Sequence, residues 1–188
     1  MSTDPSPLLL AVPPRSKIDP RLEARPSPIH GTGVFATANI RAGEIIIVWG
    51  GTLFTWEEIK AGKALEHSYC TIHEGVILGH TPEQGYSVDD FTNHSCDPNA
   101  WMVDEITLAA RRDIKVGEEV TADLAMWWDL DEESVSWECN CGTALCRKTF
   151  TSRDWRRPEL HERYGNHFLP YINERIKQLC AMKSVDII

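Results

Sequence analysis

The chain has 188 residues, 42% hydrophobic and 25% charged, which is enough for one well-buried core and describes an ordinary soluble globular domain. A formal charge of −9 argues against non-specific nucleic-acid binding, which needs clustered Lys and Arg, and fits a basic partner such as a Lys-rich peptide. The longest apolar run, residues 45–49, is far too short to span a membrane. Residues 8–12 lack the length and basic flank of a signal sequence, so an intracellular, cytoplasmic protein without membrane contact is expected.

Residues 1–20 hold five prolines and no periodicity, which predicts a flexible arm. Strand signals follow. Val34-Phe35-Ala36 leaves the Gly31-Thr32-Gly33 turn, and after Arg41-Ala42-Gly43-Glu44 the apolar residues 45–49 read as a strand buried on both faces. Residues 56–60 suit a short helix with Thr55 as N-cap. Residues 69–72 and 75–79 read as a hairpin, and residues 106–110 and 119–121 as further strands. Short strands with long irregular connections predict small curved sheets rather than repeated βαβ units. Helical character begins after Cys146. A turn over residues 159–164 starts near Pro158 and can stop at Gly165, and Ile172, Ile176 and Leu179 mark an amphipathic helix beyond Pro170.

Three segments carry chemistry. Asn93-His94-Ser95-Cys96-Asp97-Pro98-Asn99 packs an amide, an imidazole, a hydroxyl, a thiol and a carboxylate into one stretch, and burying such groups without partners costs ~1–3 kcal/mol each. Cys139, Cys141 and Cys146 form a C-x-C-x4-C loop that can turn three sulfurs inward, and a structural zinc needs a fourth ligand. His161, His167, Cys180 and Cys96 are the candidates, and three buried thiols are the alternative to a metal. The Gly31-Thr32-Gly33 turn lets backbone approach a ligand, though most such pairs are plain turns. Cys70 and Cys180 read as ordinary core thiols.

In order and spacing, Gly-Thr-Gly-Val-Phe-Ala at residues 31–36, Asn-His-Ser-Cys-Asp-Pro-Asn at 93–99, Gly-Glu-Glu-Val-Thr at 117–121 and Cys-x-Cys-x4-Cys-Arg at 139–147 resemble a SET domain with a cysteine-rich post-SET tail. The resemblance implies a mostly β, β-clip-like fold with short helices, a knot-like threaded segment and C-terminal helices. It divides the chain into an arm (1–20), a SET domain (21–136), a post-SET segment (137–150) and a helical extension (151–188). It also implies protein-lysine methylation with S-adenosylmethionine. By position, Gly31, Thr32, Gly33, Tyr69, Asn93 and His94 are the expected contacts of that cofactor, with Phe150 or Trp155 over its adenine. Cys96 is the expected fourth zinc ligand beside Cys139, Cys141 and Cys146.

One position departs from the pattern. Where the family carries its catalytic tyrosine, this chain has Leu124, which neither donates nor accepts a hydrogen bond. Leu124 and Trp127 are therefore the expected wall of the substrate pocket, and Tyr69, Tyr86 or another hydroxyl the replacement. Three readings follow: methylation of a Lys-containing protein, a reshaped pocket acting on a small molecule (a cyclisation, for example), and a non-catalytic peptide-binding module.

Overall fold

The computed structural model describes residues 11–129 and 136–185. Within them, thirteen short strands build two four-stranded sheets, one three-stranded sheet and one two-stranded ribbon. The first sheet runs β1 (Lys17–Ile18), β4 (Ile45–Val48), β10 (Thr107–Ala110), β9 (Ala100–Met102), all antiparallel. The second runs β2 (Leu22–Pro26), β3 (Thr32–Ala36), β11 (Glu119–Ala122), β8 (Asn93–His94). The third holds β5 (Thr52–Phe54), β7 (Val76–Gly79) and β6 (Cys70–His73), and β12 (Ser136–Glu138) pairs with β13 (Thr149–Thr151). Three helices accompany them: α1 (Trp56–Lys60), α2 (Pro158–Tyr164) and α3 (Pro170–Val185).

One pairing departs from the antiparallel rule. β8 lies parallel to β11, with Asn93 opposite Thr121 and His94 opposite Ala122. Parallel neighbours need a crossover, and here the chain leaves β8, lays down β9 and β10 in the other sheet, and returns as β11.

The core joins the inner faces of both large sheets to the C-terminal helices. Ile46, Ile47, Met102, Leu108 and Val120 meet Leu160, Tyr164, Phe168 and Ile172 there. Each such side chain contributes ~1.5–3 kcal/mol by leaving water. Most local expectations hold: the β6–β7 hairpin forms, Thr55 Oγ1 accepts the Glu58 N–H at 3.3 Å to cap α1, and α2 runs from Pro158 to a stop at Gly165.

Three local readings are corrected. Ile45 is 58% exposed, so β4 is buried on both faces only at Ile46 and Ile47. Cys180 is exposed on α3 rather than a core thiol. Residues 11–20, assigned to the arm, are tied to the body: β1 pairs with β4, and the Gly51 N–H donates to the Pro13 carbonyl at 2.8 Å. Residues 1–10 lie outside the described residues.

Candidate active site and cysteine cage

The polar stretch at residues 93–99 finds partners throughout. The Asn93 amide nitrogen donates toward the carbonyls of His30 (3.1 Å) and Thr32 (3.0 Å) and to Glu119 Oε1 (2.8 Å), joining β8 to the Gly31 turn and to β11. The Ser27 hydroxyl holds the same Glu119 carboxylate at 2.8 Å. Glycine at 33 follows from this crowding: a Cβ there would collide with Glu119 Oε1 and sit 2.9 Å from Ser27 Cβ. Asn99 braces β11 from the other side, donating to the Glu119 carbonyl and accepting the Thr121 N–H, both at 2.8 Å.

Cys96 turns inward from this stretch to meet the tail. The sulfurs of Cys96, Cys139, Cys141 and Cys146 lie within 4.8 Å of one another, and Cys96 Sγ is 3.6 Å from Cys139 Sγ. A tetrahedral zinc–thiolate site, with Zn–S near ~2.3 Å, sets its sulfurs ~3.8 Å apart. The four therefore converge as ligands do around one ion. Backbone N–H groups of Arg147 and Lys148 point at Cys96 Sγ (3.3 Å) and Cys146 Sγ (3.4 Å), donors suited to thiolates. Burial pushes the Cys96 thiol up to about 11 and Cys139 further, so a bound cation is what would draw off these protons.

His94 bridges the cage and the cavity beside it. Its Nδ1 accepts the Leu124 N–H at 3.3 Å, which leaves the proton on Nε2, 3.4 Å from Cys96 Sγ. Burial lowers its pKa to about 4, against the opposing pull of Asp123, so the ring is neutral. Phe150 stacks on it at 4.1 Å.

Beneath His94 lies a buried ionic network. Asp123, fully buried, accepts both terminal nitrogens of Arg147 at 2.7 and 2.9 Å and the Tyr164 hydroxyl at 2.9 Å. Arg147 Nε also lies 2.8 Å from Asp154 Oδ2. Burial opposes ionisation of Asp123, but the Arg147 guanidinium outweighs it and holds the carboxyl below its ordinary pKa. Arg163 adds a bond to the Cys96 carbonyl at 2.8 Å. The cysteine tail and the C-terminal helices are thereby fastened to the β8–β11 junction.

Two cavities flank that junction. The smaller, about 310 Å³, is bounded by His30, Asn93, His94, Glu138, Asn140 and Phe150. The larger, about 440 Å³, has Trp49, Trp56, Tyr69, Trp127, Trp128 and Trp137 on its walls. Leu124, Thr92, Trp128, Trp137 and His67 border both, so Leu124 stands where the two spaces adjoin. Trp128 and Trp137 pack at 4.2 Å, and Trp127 meets Trp49 edge-on at 5.2 Å.

The expected residues divide accordingly. Asn93, His94 and Phe150 line the smaller cavity, whereas Tyr69 lines the larger one and Trp155 belongs to the main core. Gly33 faces Glu119, and Thr32 contributes its carbonyl to Asn93. Leu124 and Trp127 lie together on the larger cavity, and the fourth sulfur of the cage is Cys96. His161 and His167 bond instead to the carbonyls of Trp155 (2.6 Å) and Met102 (2.7 Å). Tyr86 puts its hydroxyl on the Glu66 carbonyl at 3.0 Å, away from both cavities. The reading of the sequence missed the Asp123–Arg147–Tyr164 network; Arg147, directly after Cys146, was its one available signal.

Comparison with known proteins agrees with this geometry. The SET domain signature matches residues 31–123. Histone-lysine N-methyltransferase 2B of Homo sapiens is 30% identical over 135 residues, which cover 65% of this chain and 5% of that protein. The H3 lysine-4 specific histone-lysine N-methyltransferase of Schizosaccharomyces pombe is 32% identical over 141 residues, covering 68% of this chain and 15% of that one. The chain thus spans a small fraction of the length of these relatives. Among solved structures, Arabidopsis thaliana SUVH6 in complex with SAM superposes with a TM-score of 0.56 at 20% identity, covering 70% of this chain and 33% of that one. The methyltransferase domain of human SETMAR gives 0.55 at 18% identity, covering 70% and 58%. The fold and its sequence signature agree: this chain is a SET-domain protein.

Proposed function

We propose that this protein is an S-adenosylmethionine-dependent methyltransferase acting on a lysine side chain of a protein, with a structural zinc held by Cys96, Cys139, Cys141 and Cys146. The observation that carries this reading is the pair of adjoining cavities, which offers one space for a donor and one for an acceptor with Leu124 and Thr92 between them. The donor assignment fits the smaller space. His94 and Phe150 give it a stacked aromatic wall, and His30, Asn93 and Asn140 give it a polar one. When bound there, S-adenosylmethionine supplies an activated methyl group.

The chain's own part is positioning. Trp127, Trp128 and Trp137 wall the acceptor space, and a lysine amine, whose ordinary pKa is ~10.4, must shed its proton there before it can attack the methyl group. Leu124 brings no hydroxyl to the junction. Of the four tyrosines, Tyr69 lines the larger cavity, Tyr164 is committed to Asp123 and Tyr86 to Glu66, and Tyr171, whose buried hydroxyl has no hydrogen-bond partner among the described residues, borders neither cavity. Tyr69 is therefore the hydroxyl available to orient the amine. The relatives' names specify histone lysines, and the −9 charge of this chain suits a basic polypeptide of that kind.

Incubating the purified protein with lysate and donor labelled in its methyl group tests the proposal. Lysine-bound label is expected, lost in Asn93→Ala once circular dichroism shows that variant folded. A lysate without lysine label would reject the protein-lysine reading. Leu124 and the size of the larger cavity would then favour a small-molecule substrate.

A further inference from the structure

The larger cavity has a charge pattern of its own. Asp89 lies in the 3₁₀ turn Val88–Phe91 that leads into β8, and it lines the cavity while being more than nine-tenths buried. Its Oδ2 accepts the Ser16 hydroxyl at 2.6 Å. Its Oδ1 is buried and accepts no hydrogen bond among the described residues. The neighbouring carboxylate differs, because Asp90 Oδ2 takes both His80 Nδ1 (3.0 Å) and the Ser87 N–H (2.6 Å). No lysine or arginine borders the cavity among the described residues, and its two histidines face other carboxylates, His67 that of Glu66 and His80 that of Asp90.

The remaining wall suits the same kind of ligand. Five of the chain's seven tryptophans line this cavity, and the face of an indole ring is electron-rich and attracts cations. A small hydrated metal ion gains little from such walls, since hard cations take oxygen ligands. An alkylammonium gains from both features: its apolar substituents displace water from the rings while its charge answers the carboxylate. Anions and neutral apolar molecules lose one contribution or both. The volume of about 440 Å³ lies in the range of small-ligand sites.

We propose that the larger cavity binds an organic ammonium, with Asp89 as its counter-anion and the tryptophan walls as its cation-facing surface. The binding needs neither donor nor methyl transfer. Where methyl transfer occurs, it is the form in which the acceptor amine first enters, and Asp89 is then a specificity residue for that amine.

The test is tryptophan fluorescence of the full chain without donor, titrated with choline and with neohexanol, its uncharged carbon isostere. Choline is expected to bind at least ~10-fold more tightly. Asp89→Asn, confirmed folded by circular dichroism, is expected to erase that preference while leaving neohexanol unchanged. Equal affinities in the unmodified protein overturn the proposal without recourse to a variant, as does a preference that survives in Asp89→Asn. Titrations with Nα-acetyl-lysine methylamide and with n-butylamine locate the source of the cation. Tighter binding of the first supports a polypeptide side chain, tighter binding of the second a free amine, and saturation by none of the ammonium probes refutes the site. Because no donor is present, failure of methyl transfer leaves these outcomes untouched.

Discussion

Asp123 draws together more of the site than any other single residue, because its two oxygens serve Arg147 from the tail, Tyr164 from α2 and the Ala125 N–H of its own turn. Removing one member of a buried ion pair strands the other in a medium that cannot solvate it. Arg147→Ala is therefore expected to cost ~3–5 kcal/mol in urea unfolding. Tyr164→Phe, which removes one of several partners of Asp123, is expected to cost ~1–3 kcal/mol. A cost for Arg147→Ala no larger than that for Tyr164→Phe would contradict the arrangement. Little of this was legible in the sequence, since an isolated aspartate and an arginine 24 positions later show nothing until the fold joins them. The cysteines were legible for the opposite reason: their chemistry and spacing are local, and only the fourth sulfur had to be found at a distance. At Leu124 the sequence showed a missing hydroxyl, but not that the residue stands between two cavities.

Among the elements, legibility followed locality. The β6–β7 hairpin and α1 are decided by neighbouring residues, a Gly75 turn in one case and a Thr55–Glu58 capping box in the other. β1 and β8 have two residues each, too few for a hydrophobic period, and exist because a distant strand supplies their partners. β12 and β13 pair with each other, and their ribbon encloses the cysteine loop between its two strands. Its hold on the body depends on the cage and on Arg147. Chelating the metal, or Cys139→Ser, is accordingly expected to lower bound zinc well below one per chain and to speed proteolysis within residues 136–151. An unchanged digestion pattern in either case would show that the cage does not secure the ribbon.

Across the whole molecule, function arises where separate sheets meet. The smaller cavity takes walls from Ile29 and His30 just before the Gly31 turn, from β8 and from the tail, and the larger from the β4–β5 connection, the β6–β7 hairpin and the turn after β11. The segment before β1 reaches the same region, because Ser16 joins Asp89 to the Gly50 N–H. A Cβ on Gly50 would lie 2.6 Å from the Pro13 carbonyl oxygen and closer still to the Arg15 backbone. Gly50→Ala should therefore displace that segment, destabilise the protein by ~1–3 kcal/mol and weaken choline binding at the larger cavity. Unchanged stability in thermal unfolding would mean that the segment does not pack there in solution. The overall fold could be expected from motif order, whereas the depth of the larger cavity and the open oxygen of Asp89 emerge only when three sheets converge.

The central claim is that the smaller cavity receives a methyl donor beside an acceptor space walled by Leu124. Calorimetric titration of the zinc-loaded protein with S-adenosylmethionine tests it most directly. The account predicts saturable binding at one site per chain; a titration indistinguishable from the heat of dilution would contradict it.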